Sequence, residues 1–209
     1  SQGLNVERVG EVGEGHGGAA LHRTGRPGLD RDRIYITEST HRKLLDAYRH
    51  IGWNDDEYAV PGYTVAETTL FVDAEPIDER HQRRARVTVV ANGDGVAEQL
   101  VRMNEKHRGK VRLSITHCHQ FGYPQLSSVD LDGFREVLRN PLTSKPFADG
   151  SRIPVLLISG SGRQRELLGF LVTPAGHHRV DIVRLADDDP RVLQAWDRAP
   201  VAMPDARNG

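Results

Sequence analysis

The sequence predicts a mixed α/β fold, with strands interleaved with helices that pack on the sheet they form. Three observations point there. Residues Val111 to Thr116 alternate apolar and polar, the period-2 signature of a strand. His41, Leu44, Leu45 and Tyr48 recur at i, i+3, i+4 and i+7, which gives a helix one apolar face. Pro154 to Ser159 is a short apolar run bounded by turn residues, as expected of a buried strand. With 209 residues and a formal net charge of -1, the chain suits one domain with a sizeable core and irregular ends. That charge gives no general attraction to nucleic acid or to membrane surfaces.

Taken in order, residues 1–32 are rich in glycine and charge and read as a flexible arm or linker. Gly15-His16-Gly17-Gly18 is no phosphate loop, because no strand precedes it and no Gly-Lys-Ser/Thr follows. The folded domain is expected over 33–186. Arg33 to Ile36 opens it as a strand, and Thr37 or Ser39 caps the helix that carries His41 to Tyr48, ended by Gly52. Trp53 to Tyr63 reads as a loop, Thr64 to Val72 as one strand, and Ala85 to Ala91 as another. Asn92-Gly93-Asp94-Gly95 turns into a helix over Val96 to His107, with Leu100, Val101 and Met103 partly inward. After the strand from Val111, a helix over Asp130 to Leu138 turns Phe134, Val137 and Leu138 inward. Ser159-Gly160-Ser161-Gly162 connects the Pro154 strand to Glu166 to Thr173, and Arg179 to Leu185 completes the sheet. Residues 187–209 read as a tail with a short helical piece around Val192 to Trp196.

The single cysteine, Cys118, excludes an intramolecular disulfide and fits a reducing cytoplasm, the expected location. No apolar run is long enough for a bilayer-spanning helix. Arg83-Arg84-Ala85-Arg86 is the basic patch of note and reads as a charged strand edge.

The chemistry concentrates in Thr116-His117-Cys118-His119 and the Ser127 and Asp130 that follow. On a strand, positions i and i+2 share a face, so His117 and His119 converge while Cys118 points away. Asp130, at the start of the next helix, supplies a third ligand. Two imidazoles and a carboxylate leave the fourth position of a tetrahedral zinc for water, the arrangement of a catalytic site. Ser127 or Ser128 can cap the helix.

His-x-His, seven residues, Ser, two residues, Asp is also the spacing of the JAMM motif. The chain resembles the JAB/MPN-type zinc metalloproteases, in a divergent form with Cys118 between the histidines and Gln120 after them. The resemblance implies a curved mixed sheet flanked by helices and a Zn2+ cofactor held by His117, His119 and Asp130. It also implies a glutamate general base upstream, for which Glu67 is the match and Glu75 the second choice, with Glu57 and Glu79 read as surface residues. Ser127 is implied as the donor to the developing oxyanion. The implied substrate bond follows the C-terminal glycine of a ubiquitin-like modifier, with the modifier's conjugates and the activating and conjugating enzymes of its pathway as partners. An amidase releasing an amino acid from a sulfur-carrier protein or a small molecule, and a metal-free binding scaffold, are the alternatives.

Overall fold

The apolar and alternating runs become strands in the computed structural model, which describes residues 28–49, 58–77, 93–119, 122–141, 145–147, 151–160 and 164–202. In chain order the elements are β1 (Ile34–Thr37), α1 (Glu38–Arg49), β2 (Tyr58–Val65), β3 (Leu70–Ala74), α2 (Gly93–Lys106) and β4 (Val111–Cys118). Then come α3 (Ser128–Arg139), β5 (Ile153–Ser159), β6 (Glu166–Val172), β7 (His177–Val180), β8 (Ile182–Leu185) and α4 (Pro190–Arg198). The mixed α/β class expected from the sequence is present. Residues 1–27 of the expected arm, Gly52, Arg83-Arg84-Ala85-Arg86, the strand Ala85 to Ala91, Glu57 and Glu79 lie outside the described residues.

The eight strands of the described residues form one sheet in the order β7-β6-β5-β4-β2-β3-β1-β8. β4 runs antiparallel to β2 and parallel to β5, and β1 runs parallel to both β3 and β8. Flat, a sheet of this size separates its outer strands by roughly 34 Å, at about 4.8 Å per step. Yet β7 and β8, its two ends, are joined through the single residue Asp181. The sheet therefore curls until it is nearly closed. Ile34, Ile36, Val60, Phe71, Leu156, Ile158 and Leu171 form one cluster drawn from both halves of the sheet, with Val180 and Ile182 packed against it. Leu44 and Tyr48 of α1 belong to the same cluster, so this helix covers the inner side of the curl.

The other face carries the remaining helices. Leu131 and Leu138 of α3, with Phe134 and Val137, pack on Leu113 and Ile115 of β4 and on Val155, Leu157, Leu168 and Phe170. Leu113 and Ile115 share the strand parity of His117 and His119, so α3 lies over the face that bears the imidazoles. Met103 of α2 packs with Tyr63 and Val111, while Val101, expected partly inward, is 61% exposed.

Other sequence expectations are corrected. Trp53 to Tyr63 is not all loop, because Tyr58 to Tyr63 belong to β2 and pair with β4. Thr64 to Val72 is not one strand: β2 ends at Val65, a tight turn covers Ala66 to Thr69, and β3 begins at Leu70. Arg179 to Leu185 is likewise two strands, β7 and β8, which pair at opposite ends of the sheet. The expected helical piece around Val192 to Trp196 is the helix α4, whose Val192 and Ala195 bury against Tyr35, Val65, Leu70 and Leu185. No helix among the described residues is long and apolar enough to cross a membrane.

Candidate metal centre

β4 delivers the two imidazoles. His117 sits in register between Ala59 of β2 and Leu157 of β5, near the end of the strand. His117 and His119 are buried, at 4% and 8% exposure. Their rings meet nearly at right angles, 86°, with centroids 4.6 Å apart. Both Nε2 atoms face one carboxylate: His117 Nε2 lies 3.4 Å from Asp130 Oδ1, and His119 Nε2 lies 3.2 Å from Asp130 Oδ2. One ligand atom from each of the three residues falls within 4.8 Å of the others.

The start of α3 fixes Asp130. Ser127 is the N-cap, and Asp130 is the third residue after it in a reciprocal capping box. The Asp130 backbone N–H donates to Ser127 Oγ at 3.1 Å. In return, Asp130 Oδ2 accepts from the Ser127 backbone N–H at 2.9 Å and from its hydroxyl at 2.7 Å. Burial pushes the Asp130 carboxyl up, but His119, His117 and the two Ser127 donors outweigh it and hold the carboxyl well below the usual carboxylate range. The group is thus an anion at neutral pH, as a metal ligand must be.

A second device holds the loop between the histidines and α3. The Gly122 N–H donates to the His119 carbonyl at 3.0 Å. The Gly122 carbonyl accepts from the Gly160 N–H and from Ser159 Oγ, each at 3.1 Å. Gly122 has φ +66, and a Cβ there would lie 2.3 Å from the Gly160 carbonyl oxygen. Glycine at 122 is thus required twice, by conformation and by space. The loop that leaves the metal ligands is stitched to the end of β5. Beyond it Tyr123 stands 56% exposed, its ring edge-on to His119 at 6.3 Å. Neither Gly122 nor Tyr123 was singled out by sequence reasoning, and the glycine inside the motif was the available signal.

The residues fit zinc: two imidazole nitrogens and one carboxylate, buried and turned toward a common point, are a borderline-soft donor set with room for a fourth ligand. Of the expected site residues, the structure brings together His117, His119, Asp130 and Ser127. Glu67 is not with them. It is exposed, has φ 62, and occupies the β2–β3 turn beside the Val111 end of β4. Six strand residues at about 3.3 Å each place that end roughly 20 Å from His117. The expectation of Glu67 as a buried strand base is corrected: the strand broke, and its register carried the residue to the far end. Glu75 follows β3 and binds Arg102 of α2 at 2.5 Å. Among the described residues, no glutamate joins the cluster. Cys118 lies on the other face of β4, partly buried against the α1 side, as its parity predicts.

No protein-family model matches the chain, and no curated protein matches it either. Among solved structures, the chain is similar in fold to the solution structure of protein DSY2949 from Desulfitobacterium hafniense. The identity is 13% and the TM-score 0.52, over 73% of this chain and 93% of that one.

Proposed function

We propose that the chain is a zinc-dependent peptidase or isopeptidase of the JAMM type, hydrolysing the bond after the C-terminal glycine of a ubiquitin-like modifier. The observation that supports this reading is the convergence of His117, His119 and Asp130, with one ligand atom from each within 4.8 Å of the others and Ser127 clamped to the carboxylate. The nitrogens of His117 and His119 and the carboxylate of Asp130 would hold the ion. Zinc bound there supplies Lewis acidity and lowers the pKa of water toward neutrality. Ser127 keeps Asp130 oriented, and it reaches a reacting carbonyl only by giving up that hydrogen bond.

The proton acceptor is a carboxylate other than Glu67. Glu57 immediately precedes Tyr58, the residue paired with Cys118, and is the glutamate nearest in the chain to the motif end of β2. A panel of Glu57→Gln, Glu67→Gln, Glu75→Gln and Glu79→Gln, each checked for zinc content, assigns the role, and Glu67→Gln is expected to turn over like wild type. The proposed compartment is the cytoplasm, and the proposed partners are a ubiquitin-like protein, its conjugates and its activating and conjugating enzymes.

Elemental analysis of protein purified without added metal tests the reading, with one zinc per chain expected. His119→Ala should lose the metal and, with it, cleavage of modifier fusions. A folded protein that takes up no zinc on reconstitution would sink the proposal.

A further inference from the structure

Next to the metal centre lies a groove of about 480 Å³ lined by Pro124, Gln125, Leu126, Phe170, His177, His178 and Arg179. Its floor is apolar and buried, with Leu126 at 8% and Phe170 at 6% exposure. Its rim is Arg179 and two exposed imidazoles, His177 and His178, and among the described residues no carboxylate lines it. A ligand that matches both parts carries an apolar side chain beside an acidic one.

Two features favour a polypeptide over a small molecule. β7, which supplies His177, His178 and Arg179, ends the sheet order and has β6 as its hydrogen-bonded neighbour, so an extended backbone can lie along it. Leu126 is also bonded to Ser127, so the same loop walls the groove and anchors the third ligand. A nucleic acid is disfavoured by a single formal cation on the rim and by the net charge of -1.

We infer that this groove is a docking subsite for an acidic-apolar segment of the substrate polypeptide, seated on Leu126 and Phe170 and held by Arg179. The inference rests on the reading that the chain acts on a protein, and it assigns that protein a recognition feature away from the scissile bond. A segment held here lengthens the bound region beyond the reacting residues and raises specificity without touching the chemistry.

The test is an anisotropy titration of the zinc-loaded full chain. The probes are a short fluorescein-labelled peptide with a Leu-Phe centre flanked by Asp and Glu, and the same centre flanked by Lys and Arg. The acidic peptide is expected to bind saturably. Arg179→Glu, an exposed change whose folding is checked by circular dichroism, should weaken it at least about tenfold and favour the basic peptide instead. Absence of saturable binding, equal binding of the two peptides, or indifference to Arg179→Glu would overturn the proposal. Tighter, competitive binding of a single-stranded oligonucleotide would also overturn it. Zinc content measured on the same samples separates the two claims: binding without zinc uptake sinks the metal reading alone, and zinc uptake without binding sinks this one.

Discussion

Ser127 shows how one side chain can satisfy two demands. It caps α3 and pins the carboxylate that completes the cluster, so the helix start and the ligand geometry are the same set of hydrogen bonds. Ser127→Ala should cost about 1 kcal/mol of stability, the usual worth of an N-cap, measured by chemical denaturation. A loss in zinc affinity should accompany it, because Asp130 loses the hydroxyl that orients it. Unchanged stability and unchanged affinity together would show that Ser127 does neither job. Glu67 teaches the opposite lesson. The run Val65-Ala66-Glu67-Thr68-Thr69-Leu70 contains no Gly, Pro, Asn or Asp and reads as uninterrupted strand. The turn is closed instead by Thr68, whose N–H and hydroxyl donate to the Val65 carbonyl at 3.1 and 2.8 Å and whose Oγ1 accepts from the Leu70 N–H at 3.1 Å. Nothing in composition marks a threonine for that work. At φ 62, Glu67 sits where a side chain is disfavoured. Glu67→Gly should hold or raise stability by up to about 1 kcal/mol, and Glu67→Val should lower it by a similar amount. The reverse order in thermal melts would contradict the turn.

Between elements, a buried carboxylate ties helices on two sides to the sheet. Asp73 of β3 is 2% exposed and receives Lys43 of α1 and Lys106 of α2, each at 2.7 Å, and His107 at 2.8 Å. Burial pushes its carboxyl up, but His107, Lys106 and Lys43 outweigh that and hold it well below the usual range. A carboxylate depressed in the folded state stabilises fully above its unfolded pKa, about 3.9, and loses that contribution as pH falls through the folded value. Asp73→Asn should therefore be most damaging at neutral pH, and its deficit should shrink as pH drops below about 4. Urea unfolding at several pH values reads this, and a deficit independent of pH would refute it. The sequence did not display the cluster, because its members lie in three elements whose contact depends on the sheet order. The convergence of His117, His119 and Asp130 was legible for the contrary reason: strand parity sets two of these candidate ligands and a helix start sets the third, all within one local stretch. The Gly122–Gly160 contact lies between these cases, since a glycine was visible but its partner was not. Gly122→Ala should weaken zinc binding by tenfold or more, because its Cβ meets backbone rather than a yielding side chain. Wild-type affinity in that variant would mean the loop can be displaced without moving His119 or Asp130.

At the scale of the whole molecule, closure of the sheet sets the geometry that the site inherits. β4 is central in the strand order, and His117 within it and His119 just beyond it lie on the α3 side because the sheet curls around α1 on the other. The mixed class was readable from periodicity, whereas the curved sheet was an expectation carried by the resemblance and not by the strand pattern. Val180-Asp181-Ile182 offers a lone aspartate and no Gly or Pro, so β7 and β8 looked like one strand rather than the two ends of the sheet. Closure has its own requirement at Gly169 of β6. A Cβ there would stand 2.9 Å from Ile182 Cγ1, 3.1 Å from the Val180 carbonyl oxygen and 3.2 Å from Ile34 Cδ1. These groups belong to β8, β7 and β1, so the missing side chain lets β6 approach strands from the far end of the sheet. Part of the contact is with rigid backbone, and the rest is with side chains locked in the inner cluster, so the crowding cannot be relieved locally. Gly169→Val should cost about 2 kcal/mol or more, as overpacking does, and Gly169→Ala somewhat less. Gly133→Ala is the control: it lies within α3 with nothing within 4 Å of its Cβ, and it should stabilise by about 0.5 to 1 kcal/mol through helix propensity alone. Zinc affinity should fall in Gly169→Val only to the extent that the fold loosens, and remain unchanged in Gly133→Ala. If Gly169→Val proves as stable as wild type while Gly133→Ala behaves as expected, the strands do not meet inside the curl and the sheet is open.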